Sequence, residues 1–323
     1  MTKVSVIIPA YNAEKMIERT LKSLIDQTIF ASLEIIVVDD GSTDKTGEII
    51  DRFAEEYGNI RAFHQENKGV SAARNLGIGY ANGIYIGFVD ADDIVDPNYY
   101  EKLFRAARDN DADITATGFT VGRKRASFIE NEYAYTTRKL DRDAAVKAFL
   151  IGTIDVHVFT KIYKKRCFKN LKFDESLKIG EDRIFNLQAL IESEKVSVAP
   201  GCGYHYAYNP ESVTSTIDDK GTKENLLIGS ETIRIVSEKI PSLLSYAECT
   251  DLYIKCRLLG NAARGYLKKD DIYDELKSEV RRFSLSKARK HSTSKHYYSL
   301  LIIRLSPKFY ALLRRSTYLR YKA

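Results

Sequence analysis

The 323-residue sequence has no tryptophan, two methionines, six prolines and only four cysteines. Cys167, Cys202, Cys249 and Cys256 show no CxxC spacing. That excludes the usual zinc-ribbon and redox motifs, and reduced thiols in a cytoplasmic protein are expected. No apolar run approaches the roughly 18 residues of a membrane-spanning helix. The opening MTKVSVIIPAYN is too short an apolar run for a secretory signal and carries no cleavage pattern. Two phosphate-binding fingerprints are missing as well. No GxGxxG follows the first apolar segment, where Pro9 stands, and no GxxxxGK[ST] occurs anywhere. There is no internal repeat and no low-complexity linker.

What is present is a 44% hydrophobic chain, enough for one large domain with a smaller appendage. Its charge is unevenly placed. Residues 280–323 hold twelve Lys and Arg and no Asp or Glu. The other 38 basic and 44 acidic residues leave the body at −6, against +6 for the whole chain.

The first 120 residues alternate apolar runs with helical patterns. VSVIIP (4–9), LEIIVVDD (33–40), NIRAFHQ (59–65), IYIGFV (84–89) and ADITATGF (112–119) read as five buried strands. Residues 13–26, 43–57, 70–81 and 98–110 have helical spacing, the second opened by a Ser-Thr-Asp cap signal. Strands without polar alternation, separated by helices, predict an α/β, mostly parallel sheet flanked by helices. Beyond about residue 120 helices are expected at 141–151 and 182–192, with extended pieces at 196–200 and 204–208. From about residue 220 the pattern is helical. The expected division is 1–218, in halves of about 1–120 and 121–218, and a helical C-terminal region at 219–323.

In such sheets ligands sit outside the carboxyl ends of the strands. Three strand ends carry polar residues there: Pro9-Ala10-Tyr11-Asn12, Asp39-Asp40-Gly41-Ser42 and Asp90-Ala91-Asp92-Asp93. Carboxylates this close repel one another unless a cation neutralises them. A hard divalent ion would do so and bridge to phosphate oxygens. A solvated Asp-rich turn is the alternative.

VSVIIPAYN, EIIVVDDGSTDKT, NKGVSAARNLGI and YIGFVDADDIVDP, in that order and spacing, resemble glycosyltransferase family 2. The resemblance covers roughly residues 3–215. It implies the GT-A (Rossmann-like) fold and inverting transfer from a nucleotide-diphosphate sugar. By the same resemblance Pro9 and Tyr11 lie against the nucleotide base, and Asp39 accepts from its ring N–H. An aromatic ring at position 11 can also stack on uracil. Asp40 starts the turn. Ala72 lets the backbone approach the nucleotide, and Arg74 contacts base or phosphate. Asp90, Ala91 and Asp92 match the family's DxD, with Asp90 toward the ribose and Asp92 toward Mn²⁺ or Mg²⁺. Asp93 either shares the metal or caps the following turn.

KFDESLKIGEDRIFNLQAL (172–190) resembles the family's Glu-Asp before a helix. Asp182 is the expected general base and Glu181 its orienting neighbour. An aspartate there also suits a helix N-cap, and the two roles are compatible. YHYAYNPESVTS (204–215) resembles a Tyr-x-Tyr stretch followed by serine. Tyr204, Tyr206 and Ser212 are expected near donor or acceptor. His205 is read as strand packing, with a third metal ligand as the alternative. Ala207 stands where the family often has arginine, which removes a phosphate contact there. Lys161 resembles a family lysine that meets acceptor or pyrophosphate, with a surface lysine as the alternative. His64 and His157 are read as structural.

The expected activity is addition of a single hexose or N-acetylhexosamine from a UDP-sugar to a glycan acceptor, in synthesis of a bacterial capsule or exopolysaccharide. The acceptor would be lipid-linked or, alternatively, a surface glycoprotein. The processive QxxRW pattern is absent. A non-catalytic sugar-nucleotide- or glycan-binding homologue is the rival, disfavoured by the intact Asp92 and Asp182. A nucleotidyltransferase would want a glycine-rich basic loop where PAYNAEKM stands. The basic segment 286–323 interleaves Lys and Arg with Tyr, Phe, Leu and Ile. It suits either the inner face of the cell membrane or a helix contact, within the chain or in a homo-oligomer. It is too apolar for nucleic acid.

Overall fold

The structure, a computed structural model, describes residues 2–121, 124–125, 138–207, 219–263 and 271–313, the side chains of 124–125, 219–223 and 271 excepted. Apolar β-branched runs form the strands β1 (Val4–Ala10), β2 (Leu33–Asp39), β3 (Ile60–His64) and β4 (Tyr85–Phe88). Between them run the amphipathic helices α1 (Ile17–Ile25), α2 (Thr46–Glu56) and α3 (Val70–Tyr80). Then follow β5 (Ile94–Val95), α4 (Tyr99–Asp109), β6 (Ile114–Ala116), β7 (Phe119–Val121), β8 (Lys124–Arg125), β9 (Arg138–Asp141) and α5 (Arg142–Leu150). The chain continues with β10 (Lys161–Lys164), α6 (Glu181–Glu192), β11 (Lys195–Val198) and β12 (Tyr204–Tyr206).

The main sheet has the order β3-β2-β1-β4-β10-β6-β11-β9. Its first four strands are parallel, as expected, with Ala10 beside Asp39 and Ile7 beside Phe88. Their outward helices and inward aliphatics build one core around Val6, Ile8, Ile35 and Val37.

The expected fifth strand at 112–119 is corrected. It breaks at Thr117-Gly118, whose amides donate to Thr160 O and Gly201 O instead of to a neighbouring strand. Ile114–Ala116 stays in the main sheet. Phe119–Val121 joins a second sheet of order β5-β12-β7-β8. The strand beside β4 is β10, which runs antiparallel to it.

By its contacts the chain forms two compact units. One is Met1–Val146 with Gly152–Tyr208, the other Lys147–Ile151 with Asn209–Ala323. The second contains the helices α7 (Asp219–Lys239), α8 (Leu244–Ala263), α9 (Asp271–Arg282), α10 (Leu285–His291) and α11 (Ser294–Leu305), then a helix over residues 307–313. Its core joins Leu252, Leu259, Val280, Leu300 and Tyr310. A side chain at Gly260 would meet the Tyr310 ring at 2.7 Å, so glycine is what lets the helix over 307–313 lie on α8. Among the described residues no helix is long and apolar enough to cross a membrane.

Candidate active site

The parallel register brings the ends of β1, β2 and β4 side by side. Asp40 N–H donates to Ala10 O, and Val89 N–H to Ile7 O. The first two loops are also stitched together by side chains. Asn12 and Ala13 amides donate to Ser42 Oγ and Thr46 Oγ1 at 2.9 and 2.7 Å, and Thr43 N–H returns to Asn12 Oδ1 at 2.9 Å. Above this frame Pro9 is half-buried and Tyr11 is 51% exposed, free to meet a planar ligand.

Asp39 and Asp40 are both buried and turned to the fold. Asp39 accepts from Ser42 N–H at 3.0 Å and pairs with His64 Nδ1 at 3.1 Å. His64 reaches Asp51 through Nε2 at 2.9 Å. Burial opposes its charge, but Asp51 and Asp39 raise its pKa. Asp40 accepts from the amides of Lys68 and Gly69, both at 2.8 Å, and so fixes the entry to α3. Ala72 is buried in the first turn of that helix.

Arg74, one turn into α3 and expected on base or phosphate, is 4% exposed and pairs with carboxylates of the protein. Its guanidinium donates to Asp182 Oδ1 at 2.8 Å, Glu181 Oε1 at 3.1 Å and Asp90 Oδ1 at 3.2 Å. The carbon of the fork lies 5.2 Å from the centre of the Phe173 ring. A guanidinium presents several donors in one plane, so one arginine can satisfy three carboxylates. Burial works against the cation, but Asp182, Asp90 and Glu181 outweigh it and hold its pKa above the ordinary value. Asp182 Oδ2 also accepts from Val158 N–H at 3.1 Å. Burial, followed by repulsion from Asp182, pushes Glu181 up to about 7. Gly180, at φ 82°, turns the chain into α6 and sets both acids in its first turn.

The DADD loop sorts its carboxylates. Burial, then repulsion from Asp182, raises Asp90 despite Arg74. Asp93 is fully buried and accepts from Tyr204 Oη at 2.5 Å and Ala207 N–H at 2.6 Å. Burial and then Asp90 push it up to about 8. Thr20 and Arg19 of α1 hold the loop's carbonyls, at Ala91, Asp93 and Asp92. Asp92 differs. Among the described residues no other group donates to its carboxylate, and burial followed by Asp90 raises its pKa.

A carboxylate short of positive charge at a strand end fits a hard cation, which takes oxygen ligands and leaves positions for phosphate and water. Asp92 would supply that oxygen. The extra ligands considered from the sequence are used elsewhere. Asp93 is spent on Tyr204 and Ala207. His205 Nε2–H donates to Asp96 at 2.7 Å, and its Nδ1 meets Thr120 Oγ1 at 2.8 Å. Among the described residues no three His, Cys, Asp or Glu side chains could hold a metal together.

Tyr204 is buried rather than lining a pocket. Its ring stacks on Phe159 at 4.2 Å, and its hydroxyl accepts from Asp90 N–H at 3.1 Å. Tyr206 is half-buried, 6.0 Å from Phe159 between ring centres. Ser212 lies outside the described residues.

Lys161 is 1% exposed, not a surface lysine. Its ammonium donates to Asp155 O at 2.7 Å, His157 O at 2.8 Å and Thr160 Oγ1 at 3.0 Å. Burial lowers it to about 8. The loop it pins carries a pair of which the sequence reading took His157 as structural and did not single out Asp155. His157 Nδ1–H donates to Asp155 at 2.5 Å, and its ring stacks on Phe159 at 4.8 Å. Burial opposes the imidazolium, but Asp155 and Asp182 raise its pKa. Burial would raise Asp155, but His157 and Lys161 bring it down to about 2. The Asp-x-His spacing was the available signal.

Arg74 thus draws the strand-end carboxylate loop and the first-turn Glu-Asp of α6 into one site. The sequence model of glycosyl transferase family 2 matches residues 5–192, and the chain belongs to that family. The uncharacterized glycosyltransferase EpsJ of Bacillus subtilis (strain 168) is 38% identical over 216 residues, 65% of this chain and 62% of EpsJ. The minor teichoic acid biosynthesis protein GgaB of the same strain is 34% identical over 263 residues, 77% of this chain and 28% of GgaB. The chain thus spans less than two thirds of either relative. The crystal structure of Staphylococcus aureus TarS 1–349 with UDP-GlcNAc superposes with a TM-score of 0.71 at 19% identity, over 98% of this chain and 92% of that one. The fold is the mixed α/β GT-A fold.

Proposed function

We propose that the chain transfers a single hexose or N-acetylhexosamine, with inversion, from a UDP-sugar to a glycan acceptor in bacterial surface-polysaccharide synthesis. The observation that carries this reading is the Arg74 cluster. One buried guanidinium joins Asp90 of the donor-side loop to Asp182 of α6, residues 92 apart in the chain. The UDP-GlcNAc in TarS and the teichoic acid role in the name of GgaB support the donor and the acceptor class.

In this reading Tyr11 covers the uracil, and Asp92 would hold Mn²⁺ or Mg²⁺ for the pyrophosphate. The ion would neutralise charge on the departing diphosphate. Asp182 takes the proton of the acceptor hydroxyl as that oxygen bonds to the anomeric carbon. The bond from that carbon to the diphosphate oxygen breaks, and UDP leaves. Arg74 and Val158 N–H keep the Asp182 carboxylate oriented, and Glu181 crowds it from the same turn.

Calorimetry tests the donor half. UDP is expected to bind with Mn²⁺, to lose binding in EDTA, and to lose it in Asp92→Asn. Asp182→Asn should bind UDP as wild type does but fall at least about 100-fold in transfer from a UDP-sugar panel. Tight, metal-independent UDP binding that Asp92→Asn leaves unchanged would remove the metal from this reading. Absence of any UDP binding would remove the donor.

A further inference from the structure

The helices that close the second unit expose two kinds of side chain. Leu305 is 86% exposed, Leu312 61%, Phe309 53% and Leu313 42%. A single exposed leucine is ordinary, but four large exposed apolar residues within nine positions call for a partner. The helix over 307–313 shows the division. Tyr310 and Ala311 are buried, while Phe309, Leu312 and Leu313 share an outward arc, as helical spacing requires. Beyond α9, whose terminal Arg281 and Arg282 are offset by exposed Asp274, Glu275 and Glu279, the same run of helices exposes Arg289, Lys290 and Lys308. No acidic residue interrupts them from Val280 onward.

Three occupants could cover such a face. Nucleic acid would match the charge but leave the leucines and Phe309 in water. A second copy of this chain would cover the apolar arc, yet a two-fold contact sets each basic surface against its own image. An anionic bilayer satisfies both halves, taking apolar side chains into the interface and cations at the headgroups. We propose that this face docks the protein on an anionic membrane surface, with Leu305, Phe309 and Leu312 entering the headgroup layer. The inference stands on the second unit alone and needs neither nucleotide nor metal.

The test is sedimentation of the full chain with vesicles, without nucleotide. Vesicles of phosphatidylglycerol and phosphatidylcholine should bind it, and pure phosphatidylcholine should not. Raising salt to about 0.5 M should weaken binding at least about tenfold. Arg289→Gln with Lys290→Gln should cost about fivefold per charge removed. Leu305→Ser/Phe309→Ser/Leu312→Ser should lower binding at least about tenfold, with an unchanged circular dichroism spectrum. No binding of the wild type to the anionic vesicles overturns the proposal, as does equal binding to both lipids. So does a dimer in light scattering that the triple serine variant dissociates while vesicles stay bare.

Discussion

At Arg74 one guanidinium serves three carboxylates in a site it hardly shares with water, and its removal would leave them facing one another. Arg74→Ala is expected to lower unfolding free energy by about 3–5 kcal/mol, the usual result of stripping one partner from a buried charge cluster. Chemical denaturation measures it. Arg74→Lys keeps the charge but loses the fork, and should recover part of the stability and little of the turnover. Glu181 gives the cluster a pH signature. Its folded carboxyl, pushed up to about 7, keeps a proton that an ordinary glutamate near 4.5 has given up. Between those values the native state binds more protons than the unfolded chain, so stability falls as pH rises through that window. Glu181→Gln should flatten the slope in a series of melts across it. Lys161→Met would orphan the carbonyls of Asp155 and His157 and should cost about 1–3 kcal/mol. The identities of Arg74, Asp90 and Asp182 were legible as motif letters. Their mutual pairing was not, because it joins side chains from distant segments and is decided by burial. For Lys161 the surface alternative falls for the same reason: its burial and its three acceptors come from the folded loop and not from the local sequence.

Among the elements, the parallel half was readable because β1, β2 and β4 are continuous apolar runs. The other half was obscured by length and composition. β10 is four residues, KIYK, and its polar ends hide a central strand. Thr117-Gly118 ends β6 through hydrogen bonds to Thr160 and Gly201, partners that no local pattern announces. The turn before α6 is a further point of control. Gly180 sits at φ 82°, where a side chain is strained, so Gly180→Ala should cost about 1–2 kcal/mol. Because that turn aims Asp182, transfer should fall more steeply than the melting temperature, and comparing the two in one variant checks it.

Across the whole molecule, sequence order and sheet order diverge. β4 ends at Phe88, but the strand that covers its free edge begins at Lys161, and β6 precedes both of its neighbours, β10 and β11. Until β10 is made, the β4 edge of the N-terminal strands has no partner. A chain ending at Thr160 is expected to aggregate, and one extended through Tyr208 to stay soluble, as centrifugation of translated products would show. During synthesis at about 5–20 residues per second, β4 waits roughly 4–15 seconds for its neighbour. Through that interval the nascent chain holds its parallel strands with an adhesive margin toward any other nascent chain on the same message. The spacing of ribosomes along that message then bears on how much of the protein reaches its native sheet.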